Sequence, residues 1–173
     1  AGLGTRLAPL TNNKPKALVE IGGIPLLEIL IQKLIRAGFN EIIVNVHHFA
    51  DQIINFINDK DNFGINIRVS NEKDVLLETG GGIKKASWFF DDGNPFLVHN
   101  VDVITDLDLK KLFTDHISSK ALATLAVRNR NTSRYLLFNA EAKLCGWENQ
   151  KTGEKIIVKK DQQLVPYAFS GIH

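Results

Sequence analysis

Glu41-Ile42-Ile43-Val44-Asn45-Val46 is a near-continuous apolar run, the pattern of a strand buried on both faces in a parallel sheet covered by helices. Upstream, Leu26, Leu27, Ile29, Leu30, Ile31, Leu34 and Ile35 predict a helix that is apolar around much of its circumference. Gly38 follows it, where a left-handed cap is easiest. Downstream, Phe49, Ile53, Ile54, Phe56 and Ile57 recur at helical spacing, and Asn66 to Ser70 alternates as a strand does. Val19-Glu20-Ile21 reads as short and extended, with Gly22-Gly23-Ile24-Pro25 as a turn into the first helix. The order loop, helix, strand, helix, strand predicts an α/β fold with a doubly wound, mostly parallel sheet.

The pattern then changes. A glycine cluster at Leu77-Glu78-Thr79-Gly80-Gly81-Gly82 precedes an expected helix from Lys84 to Phe90, and Phe96-Leu97-Val98 reads as another buried strand, ending at His99-Asn100-Val101-Asp102. A polar helix is expected from Asp108 to about Ile117, with Asp106 and Asp108 as its caps. Ala121 to Val127 reads as a strand, followed by short strands at Tyr135–Phe138, Leu144–Trp147, Lys155–Val158 and Val165–Ile172. The second half is therefore β-rich.

Composition bounds the partners. The 173 residues suit one domain with a substantial core; 44% are hydrophobic and 23% charged, as in an ordinary globular protein. A formal charge of +2 argues against a nucleic-acid partner, and no apolar run is long enough for a membrane span. Cys145 stands alone, which excludes a disulfide framework and points to a reducing cytoplasm. His47-His48 invites a metal reading, but adjacent residues on an extended chain point to opposite sides.

Ahead of all these elements stands Ala1-Gly2-Leu3-Gly4-Thr5-Arg6-Leu7-Ala8-Pro9-Leu10-Thr11, continuing to Lys14-Pro15-Lys16-Ala17-Leu18. Two glycines one residue apart bring backbone amides close to a ligand, and a concave row of amides suits phosphate oxygens. Arg6 adds a planar fork of donors and Lys16 a compact charge. Such a loop follows the carboxyl end of a buried strand in nucleotide-binding α/β folds. No such strand precedes it, the chain has no methionine, and it ends on what reads as an interrupted strand. The natural protein is therefore expected to continue at both ends.

The string AGLGTRLAPLT with KPKALV resembles the signature loop of the sugar-phosphate nucleotidylyltransferases. Leu-Glu-Thr-Gly-Gly-Gly at 77–82 is similar to the nucleobase segment of one branch, the N-acetylmuramate-1-phosphate uridylyltransferases and mannose-1-phosphate guanylyltransferases. The resemblance implies a single nucleotidyltransferase domain over 1–173, with a Rossmann-like core and a sugar-side second half. It implies catalytic roles for Arg6, Lys16 and Asp102, with Mg²⁺ on Asp102. Ala1, Gly2, Leu3, Gly4, Thr5, Arg6, Lys16, Glu78, Thr79, Gly80 and Gly81 would bind the nucleoside triphosphate (UTP or GTP). Asn100, Asn129, Glu148 and Gly171 would bind the sugar 1-phosphate. The family's Asn-Gly-Asp motif is here Asn100-Val101-Asp102, so the flanking residues match and the central glycine does not.

Simpler readings stand beside these. Asp102 also suits an Asx-turn, Gly80-Gly81-Gly82 a plain turn into a helix, and Arg128, Arg130 and Arg134 a charged hairpin loop. The implied reaction is attack by a sugar 1-phosphate on the α-phosphorus of a nucleoside triphosphate, in nucleotide-sugar synthesis for a cell-envelope polysaccharide. A nucleotide-binding domain without catalysis, or cytidylyl transfer to phosphocholine, are the competing classes.

Overall fold

The computed structural model describes residues 7–72 and 77–173. The chain divides into two compact units, Ala1–Phe96 with Ile104–Ser118, and Leu97–Val103 with Ser119–His173.

In the first unit a 3-10 turn at Lys16–Leu18 leads into a hairpin of β1 (Glu20–Ile21) and β2 (Ile24–Pro25) closed by Gly22-Gly23. Helix α1 (Leu26–Arg36) follows at once, and Leu26, Leu27, Leu30, Ile31 and Leu34 are its buried face. Each such side chain taken out of water contributes about 1.5–3 kcal/mol, and this stripe is what holds the helix. Its end is a double cap: Gly38 N–H donates to Ile35 O and Phe39 N–H to Leu34 O. That closure needs the left-handed backbone of Gly38, whose φ is +96°.

Strand β3 (Glu41–Val46) pairs in parallel with β4 (Asn66–Asn71), with Asn45 opposite Ser70 and Val46 opposite Asn71. The crossover is α2 (Ala50–Asp59), which buries Ile53 and Ile57. The strand–helix–strand unit expected around EIIVNV is present. β3 has one neighbour among the described residues, β4, and accordingly only Val46 of it is fully buried.

Two α-helices of the first unit follow in the described residues. Helix α3 (Glu78–Lys85) and a 3-10 turn at Ser87–Phe89 correct the expected glycine loop and helix from Lys84 to Phe90. The glycines lie inside the helix, and the helical segment ends where the expected one was to begin. Tertiary packing overrides glycine's poor helix propensity here, because a side chain at Gly82 would press on Asn45 and Glu72. Helix α4 (Leu109–Ser119) matches expectation, and Asp108 Oδ1 caps it by accepting from Lys111 N at 2.9 Å. Asp106 makes no such bond among the described residues; Leu107 N donates instead to Thr105 Oγ1.

The second unit is a five-stranded antiparallel sheet ordered β5-β9-β6-β7-β8. Its strands are β5 (Val127–Arg128), β6 (Arg134–Phe138), β7 (Leu144–Asn149), β8 (Glu154–Ile157) and β9 (Val165–Phe169). The core of this unit is Leu137, Phe138, Cys145, Ala168 and Ile172. Two expected strands differ. Ala121–Val127 shortens to β5: Ala126 exchanges backbone bonds with Ile172 and Ser170 beside it, whereas Leu122 is fully exposed. Phe96–Val98 forms no full ladder: Val98 exchanges both hydrogen bonds with His173, at 2.6 and 2.9 Å. Phe96 is exposed and stacks on Phe90, with ring centroids 3.9 Å apart.

Candidate active site

Within the first unit, Lys16 sits in the 3-10 turn between buried Pro15 and Ala17 and is itself half-buried. Leu18 N–H donates to Pro15 O at 2.9 Å and Val19 N–H to Lys16 O at 3.1 Å, so the backbone that carries the ammonium stem is closed on itself. Ala1, Gly2, Leu3, Gly4, Thr5 and Arg6 lie outside the described residues.

Glu78, Thr79 and Gly80 form the exposed first turn of α3, and Gly81 is half-buried behind them. Glu78 has φ +57°, a left-handed conformation that a residue with a side chain rarely adopts. Gly82 is the buried one: a Cβ there would press on the side chains of Asn45 and Glu72. The three glycines therefore have different work. Gly82 lets α3 approach the carboxyl ends of β3 and β4, which explains why the cluster is helical. Gly80 has open space around it and leaves backbone accessible.

Glu72 was not singled out in the sequence. In a polar run, Ser70-Asn71-Glu72-Lys73-Asp74, it looks like any solvated loop acid. It is fully buried. Asn45 Nδ2 donates to its Oε1, and Leu77 N donates to its Oε2 at 3.1 Å. The available signal was Asn45, a polar residue inside the apolar run EIIVNV.

In the second unit, Asn100 and Asp102 share a turn closed by Val103 N–H donating to Asn100 O at 3.2 Å. Both residues are exposed. Asn100 and Gly171 are brought together: Asn100 N–H donates to Gly171 O at 2.9 Å. Gly171 has φ +75°, and an added Cβ would stand 2.7 Å from Asn100 Nδ2. Gly171→Ala carries both penalties and should cost about 1–3 kcal/mol; a urea melt reads this directly, and unchanged stability would contradict it.

Asn129 is exposed immediately after β5. Glu148, half-buried on β7, meets Lys155 Nζ at 3.4 Å and accepts from Gln150 Nε2 at 3.3 Å, so its carboxylate is already neutralised within the sheet. Arg130 reaches the Phe169 carbonyl at 3.5 Å. The histidine pair diverges as a strand end requires: His47 Nδ1 bonds Glu72 O at 2.7 Å, while His48 is exposed against Phe49. Among the described residues no group of three His, Cys, Asp or Glu could hold a metal ion, and no helix is long and apolar enough to cross a membrane.

In the first unit a half-buried lysine on a closed turn, and in the second an exposed Asn-x-Asp turn, are each groups that suit phosphate chemistry. A family model described as nucleotidyl transferase matches residues 1–144. The chain belongs to the nucleotidyl transferase family. It is 43% identical over 106 residues to the N-acetylmuramate alpha-1-phosphate uridylyltransferase of Caulobacter vibrioides, covering 60% of this chain and 43% of that protein. It is 40% identical over 125 residues to the enzyme of that name from Neisseria meningitidis serogroup B, covering 69% and 54%. A mannose-1-phosphate guanyltransferase of Gibberella zeae is 37% identical over 128 residues, covering 73% and 35%. Among solved structures, HddC from Yersinia pseudotuberculosis complexed with GMP-PN superposes with TM-score 0.71 at 26% identity, covering 99% of this chain and 71% of that one. The chain thus spans about half the length of these curated relatives, or less.

Proposed function

We propose that the protein transfers a nucleotidyl group from UTP or GTP to a sugar 1-phosphate, giving a nucleotide-sugar and pyrophosphate. The observation that carries this reading is the 40% identity, over 69% of the chain, to a uridylyltransferase that takes a sugar 1-phosphate. Both units together would make one nucleotidyltransferase domain.

The chemistry needs no nucleophilic side chain, because the attacking phosphate is already an anion. What it needs is position and neutralised charge. Amides of the glycine loop and Arg6 would hold the β- and γ-phosphates. Lys16, on its closed turn, would meet the α-phosphate or the attacking phosphate. Glu78, Thr79, Gly80 and Gly81 would lie along the nucleobase, and Asn100, Asn129, Glu148 and Gly171 would face the sugar phosphate. Glu148 would do so as part of its pair with Lys155 rather than as a bare acid. Mg²⁺ takes one or two carboxylates and otherwise binds phosphate oxygens and water. Exposed Asp102 fits that donor set and would hold it. The ion supplies charge neutralisation at the reacting phosphorus. A reducing cytoplasm is the setting, and cell-envelope polysaccharide the use.

The test is pyrophosphate release by the full-length protein with Mg²⁺, across four nucleoside triphosphates and mannose, glucose, heptose and N-acetylmuramate 1-phosphates, with phosphocholine beside them. Release that requires UTP or GTP together with one sugar phosphate is the expected result. Binding of a triphosphate without release across the panel would instead make this a nucleotide-binding domain.

A further inference from the structure

We propose that Glu72 is a positioning residue: it latches the nucleobase-facing turn of α3 to the carboxyl ends of β3 and β4, and so sets affinity for the nucleoside triphosphate without touching it. The proposal rests on the functional reading above for what α3 binds. The latch itself rests on geometry.

Glu72 is 0% exposed, so no ligand reaches its carboxylate. A carboxylate in such a place is costly unless hydrogen-bonded, and both its oxygens are engaged from different elements. Asn45, near the end of β3, donates to one. The backbone N–H of Leu77, the residue before α3, donates to the other. The main chain of Glu72 is tied as well: its N–H donates to Val46 O at 2.7 Å, and its carbonyl meets His47 Nδ1 at 2.7 Å. Side chain and main chain of one residue are thus both fixed, and the fixed residue holds the first amide of the α3 entry.

The opposite side of the latch is Gly82. A Cβ built there would lie 2.6 Å from Glu72 Oε1, so the helix sits as close to the carboxylate as its backbone allows. Lys85 Nζ donates to Asn71 O, which ties the far end of α3 to β4. Glu78, Thr79 and Gly80 stay exposed above this anchored base. Fixing the turn in advance removes an ordering cost from ligand binding.

The substitutions Glu72→Ala and Glu72→Gln separate the latch from mere burial. The side-chain amide introduced by Glu72→Gln could keep both contacts. Asn45 Oδ1 has no partner among the described residues, so the Asn45 amide can turn over and accept from it. Two readouts are taken: amide hydrogen exchange without ligand, and steady-state kinetics with the nucleoside triphosphate varied. In Glu72→Ala, exchange at 77–85 speeds up while α1 and β3 are unchanged. The KM for the triphosphate rises about ten- to hundredfold with kcat at saturation nearly unaltered. Glu72→Gln stays close to the parent in both. Unaltered exchange in Glu72→Ala, or faster exchange with an unchanged KM, would overturn the proposal. If Glu72→Ala does not fold, Glu72→Asp, one methylene too short to hold both donors, is read the same way. A parent protein that releases no pyrophosphate would count against the functional reading, and exchange at 77–85 would then decide the latch alone.

Discussion

Lys16→Ala lowers turnover by about 10²–10³-fold, the scale of losing one preorganised donor to developing charge. The reaction proposed brings one phosphate against another, so the barrier is dominated by like-charge repulsion. Lys16 stands on a half-buried turn flanked by buried Pro15 and Ala17, so the backbone that carries its charge is fixed before the reaction. The turn that carries it is closed by backbone bonds from Leu18 and Val19, which the substitution leaves in place. The expected signature is therefore a collapse of kcat in a protein that still folds. Near-normal turnover in Lys16→Ala would remove this residue from the mechanism.

Asp102→Asn is the second large effect. The substitution keeps the shape of the side chain and deletes its charge, in a turn that is exposed to solvent. A cation at the reacting phosphoryl group supplies several kcal/mol of charge stabilisation, so its loss lowers the rate by about 10²–10³-fold. The Mg²⁺ concentration for half-maximal rate should rise as well. A variant with normal activity and normal Mg²⁺ dependence would leave Asp102 as a turn residue only.

Periodicity was legible wherever one face of an element is buried against a core. The apolar stripe of α1, the spacing of Ile53 and Ile57 in α2, and the alternation of β4 all follow from it. Capping chemistry was legible at Asp108 and at Gly38, because each satisfies backbone groups by a local rule. Elements defined by distant partners were not. Nothing local tells that Gly80, Gly81 and Gly82 are helical; the reason is the room Asn45 and Glu72 leave for Gly82. Phe96-Leu97-Val98 has the composition of a buried strand, yet the bonds Val98 makes are with His173, far along the chain. Leu122 is as apolar as any strand residue, yet it is fully exposed and lies outside β5. Of the site, the motif residues were legible as chemistry-bearing types, whereas the carboxylate of Glu72, which touches no solvent, was indistinguishable from a loop charge.

The most direct test of the account follows the phosphorus atoms. The full-length protein, Mg²⁺ and the sugar 1-phosphate that supports pyrophosphate release would be incubated with the matching nucleoside triphosphate, labelled with ³²P at either the α- or the γ-position. Attack at the α-phosphorus predicts that α-label moves into the nucleotide-sugar and γ-label leaves as pyrophosphate. γ-Label appearing on the sugar, or α-label remaining in free nucleoside diphosphate, would mean that a different phosphorus is attacked and would contradict nucleotidyl transfer.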